Sequence, residues 1–134
     1  MQLSARDEQR LQGVHPDLVR VVRRAAVDMP ADMEFVVLEG LRTIDRQRQL
    51  LAKGATTTMR SRHLTGHAVD IAPYLDTDGD GTKEISWHWP HYFRLAGAMK
   101  SAALAEGVQV EWGGDWREFK DGPHWQLPWR TYPA

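Results

Sequence analysis

Hydrophobic and polar positions alternate along this chain in two distinct rhythms. Over residues 16–29, Leu18, Val21, Val22, Ala25 and Ala26 recur at helical spacing, Pro16 suits a first helical position, and Met29-Pro30 stops the run. Phe35-Val36-Val37-Leu38 is a short apolar run that reads as a buried strand. A second helix is expected over about 44–53, capped by Thr43 and ended by Gly54. The polar, Thr-rich residues 54–62 read as a loop. From His67 to Ala72 the period becomes two, which places Ala68, Asp70 and Ala72 on one strand face and His67, Val69 and Ile71 on the other. A third helix is expected over 90–106, with Phe93, Ala96, Met99, Ala103 and Leu104 inward and Gly107 as its stop. Strands at 108–112 and 124–127 complete the set. The order implies an α+β domain: helices against one face of a small, largely antiparallel sheet, with a site on the other face.

Length and composition refine this picture in a few places. A chain of 134 residues suggests one domain with a real core. The formal net charge is −1, so bulk charge does not point to nucleic acid. Lys and Arg outnumber Asp and Glu 11 to 8 over residues 1–62, and the balance reverses to 6 against 10 over 63–134. The arginine-rich half suits either an anionic polymer or ordinary solvated helix faces. There are no cysteines, which excludes disulfides, thiolate metal sites and a thiol nucleophile. The first residues are polar, and no apolar stretch approaches the roughly 18 residues of a membrane span.

Two clusters about fifty residues apart carry the chemistry. One is Ser61-Arg62-His63-Leu64-Thr65-Gly66-His67-Ala68-Val69-Asp70; the other is Asp121-Gly122-Pro123-His124-Trp125-Gln126-Leu127. His63, Asp70 and His124 offer two imidazoles and a carboxylate, enough for a catalytic zinc that keeps a fourth position for water. Asp121 is a free carboxylate nearby, suited to a base or simply to opening the Gly-Pro turn. Ser61 suits a substrate contact or a capping role. Arg42 suits an oxyanion contact or a surface ion pair. His67 falls on the opposite strand face from Asp70 and is not expected among the ligands. His15, His88 and His91 lack a partnering motif. The acidic segment Asp76-Thr77-Asp78-Gly79-Asp80-Gly81-Thr82-Lys83-Glu84 imitates the start of a calcium loop, with Asp76, Asp78, Asp80 and Glu84 as candidate ligands, but Trp87 stands where the twelfth-position glutamate belongs. A solvated turn is the competing reading. Trp125 should face the core, and Trp87 and Trp116 are candidates for a groove wall or for packing.

The pattern Ser61-x-His63-x-x-Gly66-x-Ala68-x-Asp70, with Asp121-x-x-His124, resembles the zinc peptidases that cleave D-amino-acid-containing cell-wall peptides, and Gly40-Leu41-Arg42-Thr43 resembles their arginine motif. Size and element order look most like phage endolysins that are L-alanyl-D-glutamate peptidases. The resemblance implies a D-Ala-D-Ala-peptidase-like fold and zinc on His63, Asp70 and His124. It further implies Asp121 as general base and Arg42 at the scissile carbonyl, with Asp121 where many relatives carry the longer glutamate. It also implies one catalytic domain over residues 1–134 without a wall-binding module, acting as a monomer on bacterial peptidoglycan. Such a protein would wait in the host cytoplasm until the membrane is permeabilised. Two alternatives remain at this point. One is a D-Ala-D-Ala carboxypeptidase or dipeptidase on the same metal site. The other is a catalytically silent, zinc-stabilised wall-binding module, for which Asp121 and Arg42 would be superfluous.

Overall fold

The computed structural model describes residues 1–133. Its elements are α1 (Ala5–Arg10), α2 (Pro16–Asp28), β1 (Glu34–Glu39), α3 (Ile44–Ala52), β2 (Ala68–Leu75), β3 (Glu84–Ile85), α4 (Trp89–Glu106), β4 (Glu111–Trp112) and β5 (His124–Gln126), with 3₁₀ turns at Arg62–Thr65 and Gly113–Asp115. The sheet runs β1-β2-β5-β4, β3 also pairs β2, and all pairings are antiparallel. The α+β architecture is the one expected. Leu18, Val21 and Val22 of α2 and Leu95 and Met99 of α4 are essentially fully buried, against Val69 and Ile71 of β2 and Trp125 of β5. Each such side chain contributes about 1.5–3 kcal/mol of transfer free energy.

The structure departs from the sequence reading in four places. The first is α1, absent from that reading. It is built on a capping box between Ser4 and Asp7, and it covers the open edge of β1. The Val37 N–H donates to the Asp7 carboxylate at 2.9 Å, and Arg10 donates to the Val37 carbonyl at 2.8 Å, so polar side chains satisfy an edge strand that lacks a neighbour. Second, α4 is turned from the expected face. Tyr92, Leu95, Ala96, Met99, Ala102 and Ala103 are buried, whereas Phe93 and Leu104 are exposed. Third, the expected strand over 108–112 pairs only at Glu111–Trp112, and β2 runs past Ala72 to Leu75. Fourth, α3 stands apart from the helical layer, and its one buried residue, Gln47, reaches toward the site.

Candidate metal centre and active site

The register of three strands assembles the site. Asp70 of β2 lies directly opposite His124 of β5, and opposite residues of an antiparallel pair share a face. On the next strand Glu39 pairs with Asp70 through an irregularity after Val37, the kind of local shift that re-aims side chains beside a site. His63 arrives from the 3₁₀ turn Arg62–Thr65, where Ser61 accepts the His63 N–H at 3.2 Å as its cap. Gly66 ends that turn with a φ of +76° and packs so closely that a Cβ would collide with the Gly13 carbonyl oxygen, so glycine is required there on two counts.

His63 Nε2 lies 3.1 Å from Asp70 Oδ1, and His124 Nδ1 lies 3.3 Å from the same oxygen. All three ligand atoms sit within 4.8 Å of one another. Metal–ligand bonds of about 2.0–2.1 Å give a tetrahedral edge of about 3.4 Å, so the spacing suits one small cation. The remote ring nitrogens are tied down. His63 Nδ1 is 2.8 Å from the Gly40 carbonyl, and His124 Nε2 is 2.8 Å from Gln126 Oε1. A neutral ring that donates outward through this nitrogen leaves the inner nitrogen's lone pair free for a metal. The donor set therefore fits a tetrahedral metal with one open position.

Arg42 is held as a fixed cation beside this cluster. Its Nε donates to Glu39, its Nη1 donates to Gln47 Oε1 at 2.7 Å, and its Nη2 is 4.0 Å from Asp70 Oδ2. Gln47 is in turn braced by the Thr58 carbonyl at 2.6 Å. Arg42 is thus mostly buried at the site rather than a surface pair. Ser61 takes the expected capping role, and its hydroxyl also lies 3.5 Å from Arg42 Nη1 on the groove wall. Asp121 follows the Gly113–Asp115 turn, with its N–H donating to the Gly113 carbonyl at 3.1 Å. One groove of about 640 Å³ is lined by Arg42, Ser61, His63, Asp70, Asp121 and His124 together.

Charge is strongly coupled here. Burial pushes the Asp70 carboxyl up, but hydrogen bonds from His124 and His63 outweigh it and hold the group well below the usual carboxylate range. For His124, desolvation acts downward and is overcome by the Asp70 carboxylate, so its pKa is raised. Asp121 reaches solvent at the groove mouth, yet partial desolvation and the Asp70 charge raise its pKa, which makes it the more basic carboxylate of the two.

His67 does not join the group: its Nδ1 is 2.7 Å from Thr65 Oγ1, and its ring packs near His15 and Tyr132. His15 caps α2, and His91 bonds Ser86. Trp125 is buried and stacks on Trp112, and Trp116 lies 5.1 Å from the His124 ring in the groove wall. Trp87 is exposed beside Tyr92. The acidic loop gathers Asp76, Asp78, Asp80 and Glu84 within 4.8 Å of one another. Asp76 already accepts the N–H groups of Gly79 and Gly81 at 2.8 Å each, so the turn closes on its own amides. Two residues went unread in the sequence: Gln47, which gives no local signal, and Gln126, whose period-two spacing from His124 could have revealed it.

A model of the family described as phage L-alanyl-D-glutamate peptidase matches residues 1–126. The chain belongs to this family. It is 30% identical to the L-alanyl-D-glutamate peptidase of Escherichia phage T5, over 85% of this chain and 80% of that one. It is 35% identical to the L-alanyl-D-glutamate peptidase of Listeria phage A118, over 75% of this chain but only 32% of that longer protein. The crystal structure of the Serratia marcescens L-Ala D-Glu endopeptidase ChiX superposes with a TM-score of 0.84 at 47% identity, covering 100% of this chain and 95% of ChiX.

Proposed function

We propose that this chain is a zinc-dependent peptidoglycan endopeptidase of the endolysin type that hydrolyses the L-Ala–D-Glu bond of stem peptides. The observation that carries the reading is the convergence of the His63–Asp70–His124 group, Asp121 and Arg42 on one groove, in a chain of the L-alanyl-D-glutamate peptidase family. When bound, zinc supplies Lewis acidity and makes water a nucleophile near neutral pH. Asp121 takes the proton of the attacking water and passes it to the departing D-Glu amine. Arg42, immobilised by Glu39 and Gln47, faces the carbonyl oxygen as negative charge gathers on it. The open groove accommodates a polymer on both sides of the reacting bond. No described helix is long and apolar enough to cross a membrane, and we place the working enzyme as a monomer that reaches the wall from the host cytoplasm after membrane permeabilisation.

The deciding experiment is mass spectrometry of purified sacculi after digestion. New N-terminal D-Glu on solubilised peptides is the expected product. Free D-alanine, or D-Ala–D-Ala, without a fall in turbidity would establish the carboxypeptidase or dipeptidase reading instead.

Two further results are expected. Arg42→Ala should lower kcat by about 10²-fold, the usual scale for one oxyanion contact, with metal content unchanged; unaltered kinetics would reduce Arg42 to a packing role. The second concerns pH. Because the His124 pKa is raised, the stability from its pairing with Asp70 in metal-free protein is fully present below the ordinary imidazole value of about 6.5 and is lost as pH rises through the raised value. Metal needs the neutral ring. The increase in Tm on adding zinc to chelator-treated protein should therefore grow from weakly acidic to weakly basic pH. Calorimetry across that range checks it, and a pH-independent increment would mean His124 is not a ligand.

A further inference from the structure

The family match ends at residue 126, and just beyond it Trp129 joins the groove wall. The Leu127 N–H donates to the His67 carbonyl, and the Tyr132 N–H returns to Pro128, both at 2.9 Å, which forms a turn. Tyr132 anchors this turn to α2 through a 2.6 Å hydrogen bond from its hydroxyl to Asp17. Arg62, next to the candidate ligand His63, anchors it to the site. Its Nη2 donates to the carbonyls of Leu127 at 3.0 Å, Tyr132 at 2.6 Å and Pro128 at 3.5 Å, and its Nε donates to Leu127 at 3.2 Å. The Trp129 ring centroid lies 4.1 Å from the Arg62 guanidinium carbon and 5.4 Å from that of Arg60.

Arg62 is an unusual buried cation. It is 2% exposed, and its Nη1 has no hydrogen-bond partner. Neither Arg62 nor Arg60 forms an ion pair within 4.0 Å among the described residues. The Arg62 charge is met by backbone carbonyls rather than by a carboxylate at ion-pair distance, a costly way to bury a guanidinium. Arg60, Arg62 and Trp129 line the same groove as His63, Asp70 and His124. A volume of about 640 Å³ is in the range that encloses a drug-sized ligand, larger than the two residues flanking one peptide bond.

We propose that Arg60, Arg62 and Trp129 form an anion-binding subsite that takes a carboxylate-bearing residue of the stem peptide beyond the reacting bond. The exposed Arg60 guanidinium is the direct partner of the carboxylate, the indole covers the residue's aliphatic part, and Arg62 adds positive charge while fixing the indole in place. The inference rests on the peptidase reading for the identity of its ligand.

The test uses the full chain and two soluble peptides, L-Ala–D-Glu followed by a diamino acid, with the latter's carboxylate either free or amidated. Arg60→Gln and Trp129→Ala change exposed side chains, so both variants should fold, which thermal melting verifies. The wild type should favour the free acid by about tenfold in kcat/KM, the scale of one charge-assisted hydrogen bond. Arg60→Gln should raise KM for the free acid about tenfold, keep kcat within about twofold, and leave the amidated peptide unaffected, whereas Trp129→Ala should raise KM for both peptides, because the aliphatic part it covers is common to them. Equal cleavage of both peptides by the wild type, equal losses on both in Arg60→Gln, or an unchanged KM in Trp129→Ala would overturn the proposal. Calorimetric binding to chelator-treated protein reads the subsite without cleavage: selective binding of the free acid supports it, and equal binding overturns it. Absence of any cleavage alongside selective binding would count against the peptidase reading and not against the subsite.

Discussion

Changing His124 to Ala is expected to strip the metal and abolish nearly all turnover. The site offers three protein ligands, the minimum that catalytic zinc sites ordinarily use. Without His124, one imidazole and one carboxylate remain. The loss should exceed the roughly 10–100-fold that follows from removing an outer partner of a ligand, which sets the scale for a paired control. Gln126→Leu removes only the acceptor that orients the His124 ring, and it should weaken zinc binding within that range while leaving the ligand in place. Elemental analysis after gel filtration reads both variants. His124 is buried and contacts Trp116, so thermal melting of chelator-treated wild type and variant separates lost metal from lost packing. A full equivalent of zinc in a folded His124→Ala protein would sink the ligand assignment, and with it the reading of the groove as a metal centre.

How much of this was legible in the sequence depends on the range of the interactions involved. His63, Asp70, Asp121 and His124 could be singled out because ligand chemistry limits the residue types and a strand fixes which of them share a face. The helices α2 and α3 were legible because their stops and caps are local. The face of α4 was not. Its first turns are rich in aromatic residues, and the buried one, Tyr92, packs on Gly122, where a Cβ would approach the ring at 3.1 Å, a contact thirty residues away. The short helix α1 escaped for a similar reason: Asp7 and Arg10 look like surface charge until β1 is seen to need a donor and an acceptor at Val37. Gln47 and Arg62 belong to the same class. Each is a buried polar residue whose partners lie on distant segments, and no periodicity marks such a position. Asp121 sits between the two cases: its chemistry was legible, but its placement depends on a turn.

That turn makes Asp121→Asn a clean experiment. The Asp121 backbone is held by its N–H on Gly113, and the next residue accepts the Trp112 indole N–H at 2.7 Å, so neither anchor uses the carboxylate. Asparagine keeps the shape, and zinc should remain at one equivalent. What is lost is the only function the carboxylate is proposed to serve, accepting a proton from water and returning it to the leaving amine. Turnover should fall by roughly 10²–10⁴-fold, the usual contribution of general acid–base catalysis, and kcat should carry the loss rather than KM, because the group acts in the transition state. Asp121→Glu provides the conservative rescue. It restores a carboxylate of similar basicity on an arm one methylene longer, and it should recover a measurable part of the activity that asparagine lacks. If Asp121→Asn turns over at near wild-type rate with its zinc in place, some other group must activate the water, and Asp121 would be left with the turn alone. If glutamate and asparagine are equally inactive, reach rather than basicity sets the rate, and the shorter side chain found here is the one the groove is built to use.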